Sequence, residues 1–561
     1  MEQPILAQYT IRSKQSYIFK SNRLLEIVGA SAIIRDTFEI LLDAADECGF
    51  RVRKRDENAK GVLDCQEIMR RFGINQPDAN STDRTDGLDV IELFCGGGND
   101  TLLFRNHEVF RRVNAAYTLR LLREFPGILP LCVGVPVDLS RDNYIDDYDK
   151  RLMPKVEEEK NRMFPGRGYA AVPFAKMDRN TFLPYSRIEE HKERPMGERW
   201  EDLSDEAYAK RRAGIKEENP ESNEAGNNRV KMLDAMTDDE DSLLAIVHAD
   251  GNNMGIKIQK HLVGKISYKD CVEAMNKFTQ EIDTAFQCGK EALEHRQRSM
   301  MENDKKHADR YAVRWLVSSG DDATFICNAR LAKELTAAYL EGVYGSYRYS
   351  EGYQRRDKVE EGVFSSCAGI CVFHSHYPFV RAYDLAEQAA DTAKKAVHDS
   401  ISIRADGTRS ASECCLLDFH IIHSGIGGDL KDIRANHGTA DRIQRPWRVC
   451  GQVPSDQGQP LPLFVMDRTV KLLRDLGVSR GNIKTFGAAY EADANQGRQE
   501  WNRILYHTPG LRGNPELSSL FPNLFAENAA LRRGAETMLW KTLYDIADVY
   551  DRWYREEVAA P

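Results

Sequence analysis

The chain has 561 residues, of which 42% are hydrophobic, and a formal net charge of −9. A chain of this length exceeds a single core, and about three or four domains are expected. The absence of an 18-residue apolar run excludes an obvious membrane span. The acidic balance argues against a broad, sequence-independent grip on a nucleic-acid backbone, which requires a basic field.

The twelve cysteines are scattered and form no C-x-x-C pair. Structural zinc sites usually need such closely spaced pairs, so no structural zinc is expected. The N-terminal stretch MEQPILAQYTIR lacks the basic and apolar regions of a signal peptide. These features predict a cytoplasmic protein with reduced, mostly buried thiols.

The first part of the chain predicts a βαββαβ order, which is the ferredoxin-like arrangement. A Gly-Gly-Gly-Asn turn between two short apolar strands is a hairpin signal. Residues 50–88 are charged and irregular, and they are predicted to be an insertion. The predicted elements are a strand over 5–12, a helix over 24–48, hairpin strands over 89–95 and 101–104, a helix over 107–124 and a strand over 129–137.

Residues 140–240 differ in character from the preceding part, and 187–241 is dominated by Glu, Lys, Arg and Asp. A charged helix is predicted near 143–163, and 218–228 is predicted to be a flexible link. Because apolar residues are few, this region is expected to be an exposed connector or a solvated helical insert.

The same order of elements recurs after residue 242, which indicates a structural duplication. Beyond about residue 425 the pattern becomes helical, with 427–432 read as a linker and long helices over 463–476, 482–506 and 523–556. The predicted elements of the second pattern are strands over 243–249, 315–318, 323–327, 364–373 and 414–423, and helices over 268–294, 330–341 and from 381.

Three acidic residues are expected to converge in this second pattern. Asp250 ends a buried strand, and Asp321 and Asp322 lie in a tight turn between two strands. Three convergent carboxylates suit a pair of Mg²⁺ or Mn²⁺ ions that hold a nucleoside triphosphate, as in a nucleotidyl-transferring palm. The alternative is a polar β-turn in which Asp is simply a favoured residue.

Other residues near these acids are candidates for binding metal or phosphate. The Gly251 carbonyl is a further metal ligand candidate, and the loop around it lets backbone amides approach phosphates. Lys394 lies at the end of the most regular helix. It either reaches a phosphate of the nucleotide or only interacts favourably with the helix dipole. The nucleotide-binding candidates are Asn252, Asn253, Gly255, Ser319, Gly320 and Lys394.

Several stretches together resemble one family. HADGNNMG, SSGDDATF and CAGICVFHSHYPFVRAYDLAEQAADTAKK are similar to the second palm domain of the large subunit of type III CRISPR effectors, a relative of GGDEF-type nucleotidyl cyclases. KQSYIFKSNRLLEIVGASAIIRDTF and FCGGGND look like the first palm. The expected fold is therefore α+β, with a silent first palm (1–139), a charged connector (140–241), a catalytic second palm (242–425) and a C-terminal helical domain (426–561).

The resemblance implies a function in antiviral defence. The family's second palm joins ATP into cyclic oligoadenylate messengers, with two Mg²⁺ or Mn²⁺ ions at the active palm. Asp250 matches the first-strand metal ligand, Asp321 and Asp322 match the acids of the turn, and Lys394 matches the phosphate-binding lysine. The implied partners are ATP and other effector subunits with guide RNA and target RNA.

The sequence also departs from the family pattern. Ser319 replaces a turn glycine, Asn252 replaces an acid, and Gly98-Asn99 stands where the first palm would carry acids. The family's N-terminal nuclease domain and four-cysteine zinc site are not found, so no DNase activity is expected. Two alternatives stay open: a scaffold subunit that binds nucleotide or RNA without turnover, and a stand-alone dinucleotide cyclase that uses GTP.

Overall fold

The structure is a computed structural model of the chain. It divides into two units, which we describe separately. The first comprises Met1–Asn227, Met254–Asp283 and Leu316–Gly320, and the second comprises Asn228–Asn253, Thr284–Trp315 and Asp321–Pro561. The residues that the structure describes are 3–21, 23–74, 87–163, 176–178, 181–190, 200–218, 236–237, 242–302, 310–346, 360–398, 402–403, 409–410, 413–423, 428–436, 441–452, 460–550 and 553.

The first unit is built on a mixed five-stranded sheet in the order β2-β3-β4-β1-β5. Strand β1 lies antiparallel between β4 and β5, and β2 lies parallel to β3. Its strands are β1 (Ile5–Ile11), β2 (Val52–Arg53), β3 (Val90–Gly96), β4 (Asn99–Phe104) and β5 (Pro130–Pro136), with a separate pair β6 (Arg187–Glu190) and β7 (Trp200–Leu203). The helices are α1 (Lys14–Ile18), α2 (Leu24–Glu47), α3 (Cys65–Phe72), α4 (His107–Glu124), α5 (Met153–Arg162, continuing a π-helical turn Asp146–Leu152), α6 (Asp205–Glu218) and α7 (Met254–Leu262).

The prediction that 50–88 is irregular is wrong for α3 (Cys65–Phe72), which contributes to the core. Helix α3 begins after the N-cap Asp64, whose side chain accepts a hydrogen bond from the Glu67 amide. Its three buried side chains join a cluster with the sheet. They are Cys65, Ile68 and Phe72.

The prediction of a solvated insert is wrong for α6. Lys210 is fully buried, and its ammonium donates to the Glu206 carboxylate at 2.7 Å and to the Tyr17 carbonyl at 2.6 Å. Arg211 donates to Glu26 of α2, also at 2.7 Å. Charged residues are therefore buried here as pairs, which the composition alone does not reveal. The parts of the predicted connector over 164–175, 179–180, 191–199, 219–235 and 238–241 lie outside the described residues. The four-part domain division stays a prediction.

The second unit contains most of a mixed six-stranded sheet in the order β15-β14-β11-β8-β10-β9. The strands are β8 (Leu243–Gly251), β9 (Arg314–Ser319), β10 (Asp322–Asn328), β11 (Ser366–His374), β12 (Ser402–Ile403), β13 (Arg409–Ser410), β14 (Cys414–Ile421) and β15 (Trp447–Gly451). The helices are α8 (Tyr268–Glu302, whose first half belongs to the first unit), α9 (Ala332–Tyr344), α10 (Phe379–His398), α11 (Leu430–Asn436), α12 (Leu463–Asp475), α13 (Arg480–Ala492), α14 (Ala494–His507), α15 (Pro515–Leu520) and α16 (Ala529–Val549).

Helix α10 lies directly on the sheet. At Gly369 of β11, a Cβ atom would lie 2.0 Å from the Ala386 carbonyl oxygen, so only glycine allows this close approach. The buried face of the helix repeats at helical spacing, as predicted, with Ala382, Leu385, Ala386, Ala389, Ala393 and Val397.

The C-terminal region is helical, as predicted, but one predicted helix is divided. The helix over 482–506 is interrupted at Asp493, whose side chain accepts hydrogen bonds from the amides of Asn495 and Gln496 and begins α14. The predicted linker over 427–432 instead leads into α11, and Arg434 of that helix is bound to the buried carboxylate of Asp418 by two hydrogen bonds.

The described helices include none that is both long enough and apolar enough to cross a membrane. All twelve cysteines are free thiols.

Candidate functional site

The backbone places two of the predicted acids opposite each other. Strands β8 and β10 are antiparallel neighbours, and their register pairs Asp250 with Asp322. The Gly251 amide donates a hydrogen bond to the Asp321 carbonyl at 3.0 Å, which holds the turn against the end of β8. Directly opposed like charges destabilise a sheet unless a cation balances them. The pairing therefore creates a site that favours positive charge.

Lys394 supplies positive charge to this site. Its ammonium forms an ion pair with the Asp250 carboxylate. The side chains are 28% and 37% exposed, so the pair stays accessible to solvent and to ligands. Lys394 lies in the last part of α10, and its side chain also reaches the carboxylate of Asp250.

The sequence analysis missed His248, which lies two residues before Asp250 and therefore on the same face of β8. Its Nδ1 lies 3.1 Å from the Thr324 hydroxyl and 3.6 Å from the Asp322 carboxylate. Burial lowers the pKa of His248 to about 4, against an opposing effect of Asp250. The alternation of side chains along a strand could have indicated His248, because it places His248 and Asp250 on the same face of β8.

The depressed pKa of His248 makes stability depend on pH. The folded state keeps this imidazole neutral, whereas the unfolded chain binds a proton below its ordinary pKa of 6.5. The contribution is therefore present above about pH 6.5 and is lost between about pH 6.5 and pH 4, with an upper limit of about 3 kcal/mol. In urea unfolding between pH 4 and pH 8, His248→Gln should flatten this slope, while the exposed control His376→Gln should leave it unchanged. An unaltered slope in His248→Gln would contradict a neutral, buried His248.

The negative charge of Asp250 contributes to raised pKa values of two further carboxyl groups on α10, Glu387 and Asp391. Burial, followed by Asp391, Asp384 and Asp250, raises the pKa of Glu387 to about 7. Burial also raises the pKa of Asp391, which Lys394 opposes. The helix thus presents groups that favour a proton or a cation beside Asp250.

Asn252 anchors the loop after β8. Its side-chain amide donates to the Ser365 hydroxyl and to the Cys414 carbonyl, both at 3.0 Å. Its backbone amide donates to the Ser365 carbonyl at 2.9 Å. The next residue, Asn253, has a left-handed backbone with a φ of 59°. With its side chain buried and bonded inward, Asn252 shapes the loop, and a direct contact with phosphate stays a prediction.

The remaining predicted site residues belong to the first unit, and we describe them by themselves. Gly320 has a φ of 58°, a left-handed conformation that glycine adopts without strain. Gly255 is exposed, and a Cβ atom there would meet no atom within 4 Å. The side chain of Ser319 lies outside the part of the chain that the structure describes.

The residues present fit a divalent cation by their chemistry. Asp250 and Asp322 offer hard carboxylate oxygens, the ligands that Mg²⁺ and Mn²⁺ prefer. Among the described residues, however, Asp250, Asp321 and Asp322 do not form a group whose carboxylate oxygens all lie within 4.8 Å of one another. Within the described residues, the group of three potential ligands whose donor atoms lie within 4.8 Å of one another is found elsewhere, at Glu92, Cys95 and Asp100.

A comparison with solved structures finds chains of similar architecture. Three of them come from Csm1–Csm4 assemblies. One, in complex with cA4, matches 97% of this chain and 69% of its own chain at 13% identity and a TM-score of 0.45. The apo cassette matches with the same coverage at 16% identity and a TM-score of 0.44. A Csm1–Csm4 subcomplex of the type III-A CRISPR-Csm interference complex matches with the same coverage, at 14% identity and a TM-score of 0.43.

No protein-family model matches the chain, and no curated protein sequence matches it.

Proposed function

We propose that the chain is a metal-dependent nucleotidyltransferase of a type III CRISPR effector, which joins ATP into cyclic oligoadenylates. The observation that carries the proposal is the pairing of Asp250 with Asp322 on adjacent strands, with Asp321 in the turn and Lys394 bound to Asp250. A sheet gains no stability from opposing two carboxylates, so a role in holding cations explains their position.

The topology supports two palm domains. The first sheet contains the order β3-β4-β1-β5, and the second contains β9-β10-β8-β11. With helices between the strands, each order is compatible with the ferredoxin-like βαββαβ arrangement. The two active-site strands of the second palm correspond to β1 and β4 of the first.

The first palm lacks the acids at the corresponding positions. Asn99 begins β4 as Asp322 begins β10, and its partner in β1 is Thr10 where β8 has Asp250. An amide and a hydroxyl carry no charge to balance a metal–triphosphate complex. The first palm is therefore proposed to be catalytically silent.

In the proposed reaction the protein positions groups and neutralises charge. Asp250, Asp321, Asp322 and the Gly251 carbonyl would hold two Mg²⁺ or Mn²⁺ ions. Bound ions of this kind would supply Lewis-acid activation of a 3′-hydroxyl and would balance charge at the leaving pyrophosphate. Lys394 would exchange its contact with Asp250 for a contact with the triphosphate, because the cations then balance the carboxylate. Asn252 holds the loop after β8 in place through its side-chain hydrogen bonds to Ser365 and Cys414.

The test of this proposal is pyrophosphate release by the purified protein with Mn²⁺ and each of the four nucleoside triphosphates in turn. Release with ATP is the expected result. Release with GTP alone would identify the dinucleotide cyclase alternative. ATP binding without pyrophosphate release, even with target RNA and partner subunits added, would overturn the enzymatic proposal.

A scaffold without turnover is the second candidate, and two observations favour it. Lys394 already neutralises Asp250, and Asn252 stands buried where an acid often provides a further metal ligand. A scaffold would need nucleotide binding only. Metal-dependent product formation distinguishes the two candidate functions, because only the enzyme forms a product and it requires Mg²⁺ or Mn²⁺ to do so.

Lys394→Ala should raise the apparent KM for ATP about 10- to 100-fold, with a smaller effect on kcat. A charge-assisted hydrogen bond to the triphosphate contributes about 1.5–3 kcal/mol, which corresponds to this range. Lys395→Ala is the matched control, because Lys395 is the adjacent, exposed lysine. Steady-state kinetics of both variants measure the effect, and an unchanged KM in Lys394→Ala would count against the assignment.

A further inference from the structure

The β3–β4 hairpin of the first unit carries a second group of potential ligands, which the proposed activity does not use. Glu92 and Cys95 lie on β3, and Asp100 lies on β4. One donor atom from each lies within 4.8 Å of the others. Asp100 and Glu92 are buried, at 0% and 6% exposure, and Cys95 is partly exposed.

A β-bulge brings these three side chains to one face. The register of β3 against β4 shifts between Glu92 and Phe94, so that Glu92 pairs with Leu102 and Cys95 pairs with Asp100. In a regular strand Glu92 and Cys95 would point to opposite faces. The extra residue reverses the alternation and places both on the face of Asp100 and Leu102.

The buried carboxylate of Asp100, unpaired in the described part of the chain, indicates that this group binds a ligand. Within the described residues, neither of its carboxylate oxygens has a hydrogen-bond partner, although the side chain is fully buried. The neighbouring Thr101 amide opposes the raised pKa of Asp100, but it does not reach hydrogen-bond geometry. A buried polar group without a partner is costly to the folded state, so a bound species at this position would stabilise the hairpin.

The neighbouring polar groups are already engaged elsewhere. Tyr9, the partner of Asp100 in β1, donates its hydroxyl to Asn114. The Arg55 amide donates to Glu92 at 2.7 Å, and the Arg55 guanidinium donates to the Cys95 carbonyl at 2.9 Å. The Lys14 ammonium donates to the Gly98 carbonyl at 2.7 Å. None of these contacts satisfies Asp100.

We propose that Glu92, Cys95 and Asp100 bind one divalent transition-metal ion of the Zn²⁺ class, which fixes the hairpin of the first palm. One thiolate and two carboxylates suit Zn²⁺ or Co²⁺, whereas Mg²⁺ and Ca²⁺ prefer oxygen ligands alone. Tetrahedral bonds of about 2.0–2.3 Å separate ligand atoms by about 3.5 Å, so a small contraction of the group completes the site. A water molecule would fill the fourth position.

Binding must displace protons. Burial raises the pKa of the Cys95 thiol, with Asp100 and Glu92 adding to the rise, and burial together with Glu92 raises the pKa of Asp100. The metal-bound forms are the thiolate and the carboxylates, so these protons leave as the ion enters. Three anionic ligands around a divalent ion leave one net negative charge, which the nearby Arg55 guanidinium balances. Affinity should therefore increase with pH.

Titration of the metal-free, full-length protein with Co²⁺ tests the site. A thiolate–cobalt charge-transfer band that saturates at one ion per chain is the expected result. The band should remain in Asp321→Ala/Asp322→Ala, which separates this proposal from the proposed activity. Cys95→Ser should remove the band and Asp100→Asn should weaken Co²⁺ binding at least 10-fold, while Cys48→Ser, the control at a partly exposed thiol of the same unit, should leave both unchanged.

Alkylation of the wild-type chain tests the same assignment without a substitution. With iodoacetamide and peptide mapping by mass spectrometry, Zn²⁺ should slow modification of Cys95 at least 10-fold and leave Cys48 unaffected. The absence of a charge-transfer band in the wild type, a band that persists in Cys95→Ser, or equal alkylation of Cys95 with and without Zn²⁺ would each overturn the proposal.

Discussion

Replacing Asp321 and Asp322 together by alanine is expected to reduce adenylate synthesis at least about 1,000-fold while the chain stays folded. The two residues lie in and directly after the turn between β9 and β10, and Asp322 opposes Asp250. Removing them eliminates the proposed metal ligands and also relieves the repulsion between Asp322 and Asp250. The loss should therefore appear in product formation, measured by separation of labelled products, and not in thermal stability.

The chain offers a matched control for this variant. Asp429 and Asp432 follow a Gly-Gly pair in a similar short motif, but they lie outside the sheet and are exposed. Asp429→Ala/Asp432→Ala should keep wild-type activity. Retained synthesis in Asp321→Ala/Asp322→Ala would exclude the Asp250–Asp322 site as the reaction centre.

Asp545→Ala is expected to lower the free energy of unfolding by about 3–5 kcal/mol. Asp545 is fully buried and accepts hydrogen bonds from the Arg445 backbone amide at 2.9 Å, the Arg445 Nε at 3.0 Å and the Trp447 indole at 3.0 Å. Arg445 in turn donates to the Phe419 carbonyl of β14 at 2.6 Å. The substitution leaves a buried guanidinium with only part of its balancing charge, which is the costly half of a buried ion pair.

Urea unfolding followed by tryptophan fluorescence measures this effect. The double variant Arg445→Met/Asp545→Leu removes both charges and should recover a large part of the lost stability. Arg503→Ala, which breaks an exposed pair with Glu500, should change stability by less than about 1 kcal/mol. A loss in Asp545→Ala as small as that in Arg503→Ala would show that the network does not stabilise the fold.

The local elements were well predicted because their signals are local. The helix over 107–124 and the apolar spacing of α10 follow directly from side-chain periodicity. The opposition of Asp250 and Asp322 also followed, since a strand end and an adjacent hairpin converge whenever their strands are neighbours. Strands β8 and β10 are such neighbours.

Features that depend on distant partners were not predictable. Phosphate binding by Asn252 stays a prediction, but the sequence contains no sign that its side chain is bonded to Ser365 and Cys414, more than 100 residues away. The burial of Lys210 depends on Tyr17 in the same way. A charged residue carries no sequence signal that distinguishes a solvated position from a paired, buried one.

The proposed ligand group of Glu92, Cys95 and Asp100 depends on an irregularity in strand β3. Cysteine spacing excluded a four-cysteine zinc site, and that reasoning cannot detect a set with one thiol and two carboxylates. Glu92 and Cys95 share a face only because of the bulge before Phe94. Alternation along a regular strand would have separated them.

The most direct test of the central claim is the mass of the products that the wild-type protein forms from ATP and Mn²⁺, alone and with effector subunits and target RNA. The account predicts adenylates with 3′–5′ linkages, including cyclic species, that disappear when the metal is chelated. Unchanged ATP under every one of these conditions, from protein that binds ATP, would contradict the claim and leave the chain as a nucleotide-binding scaffold.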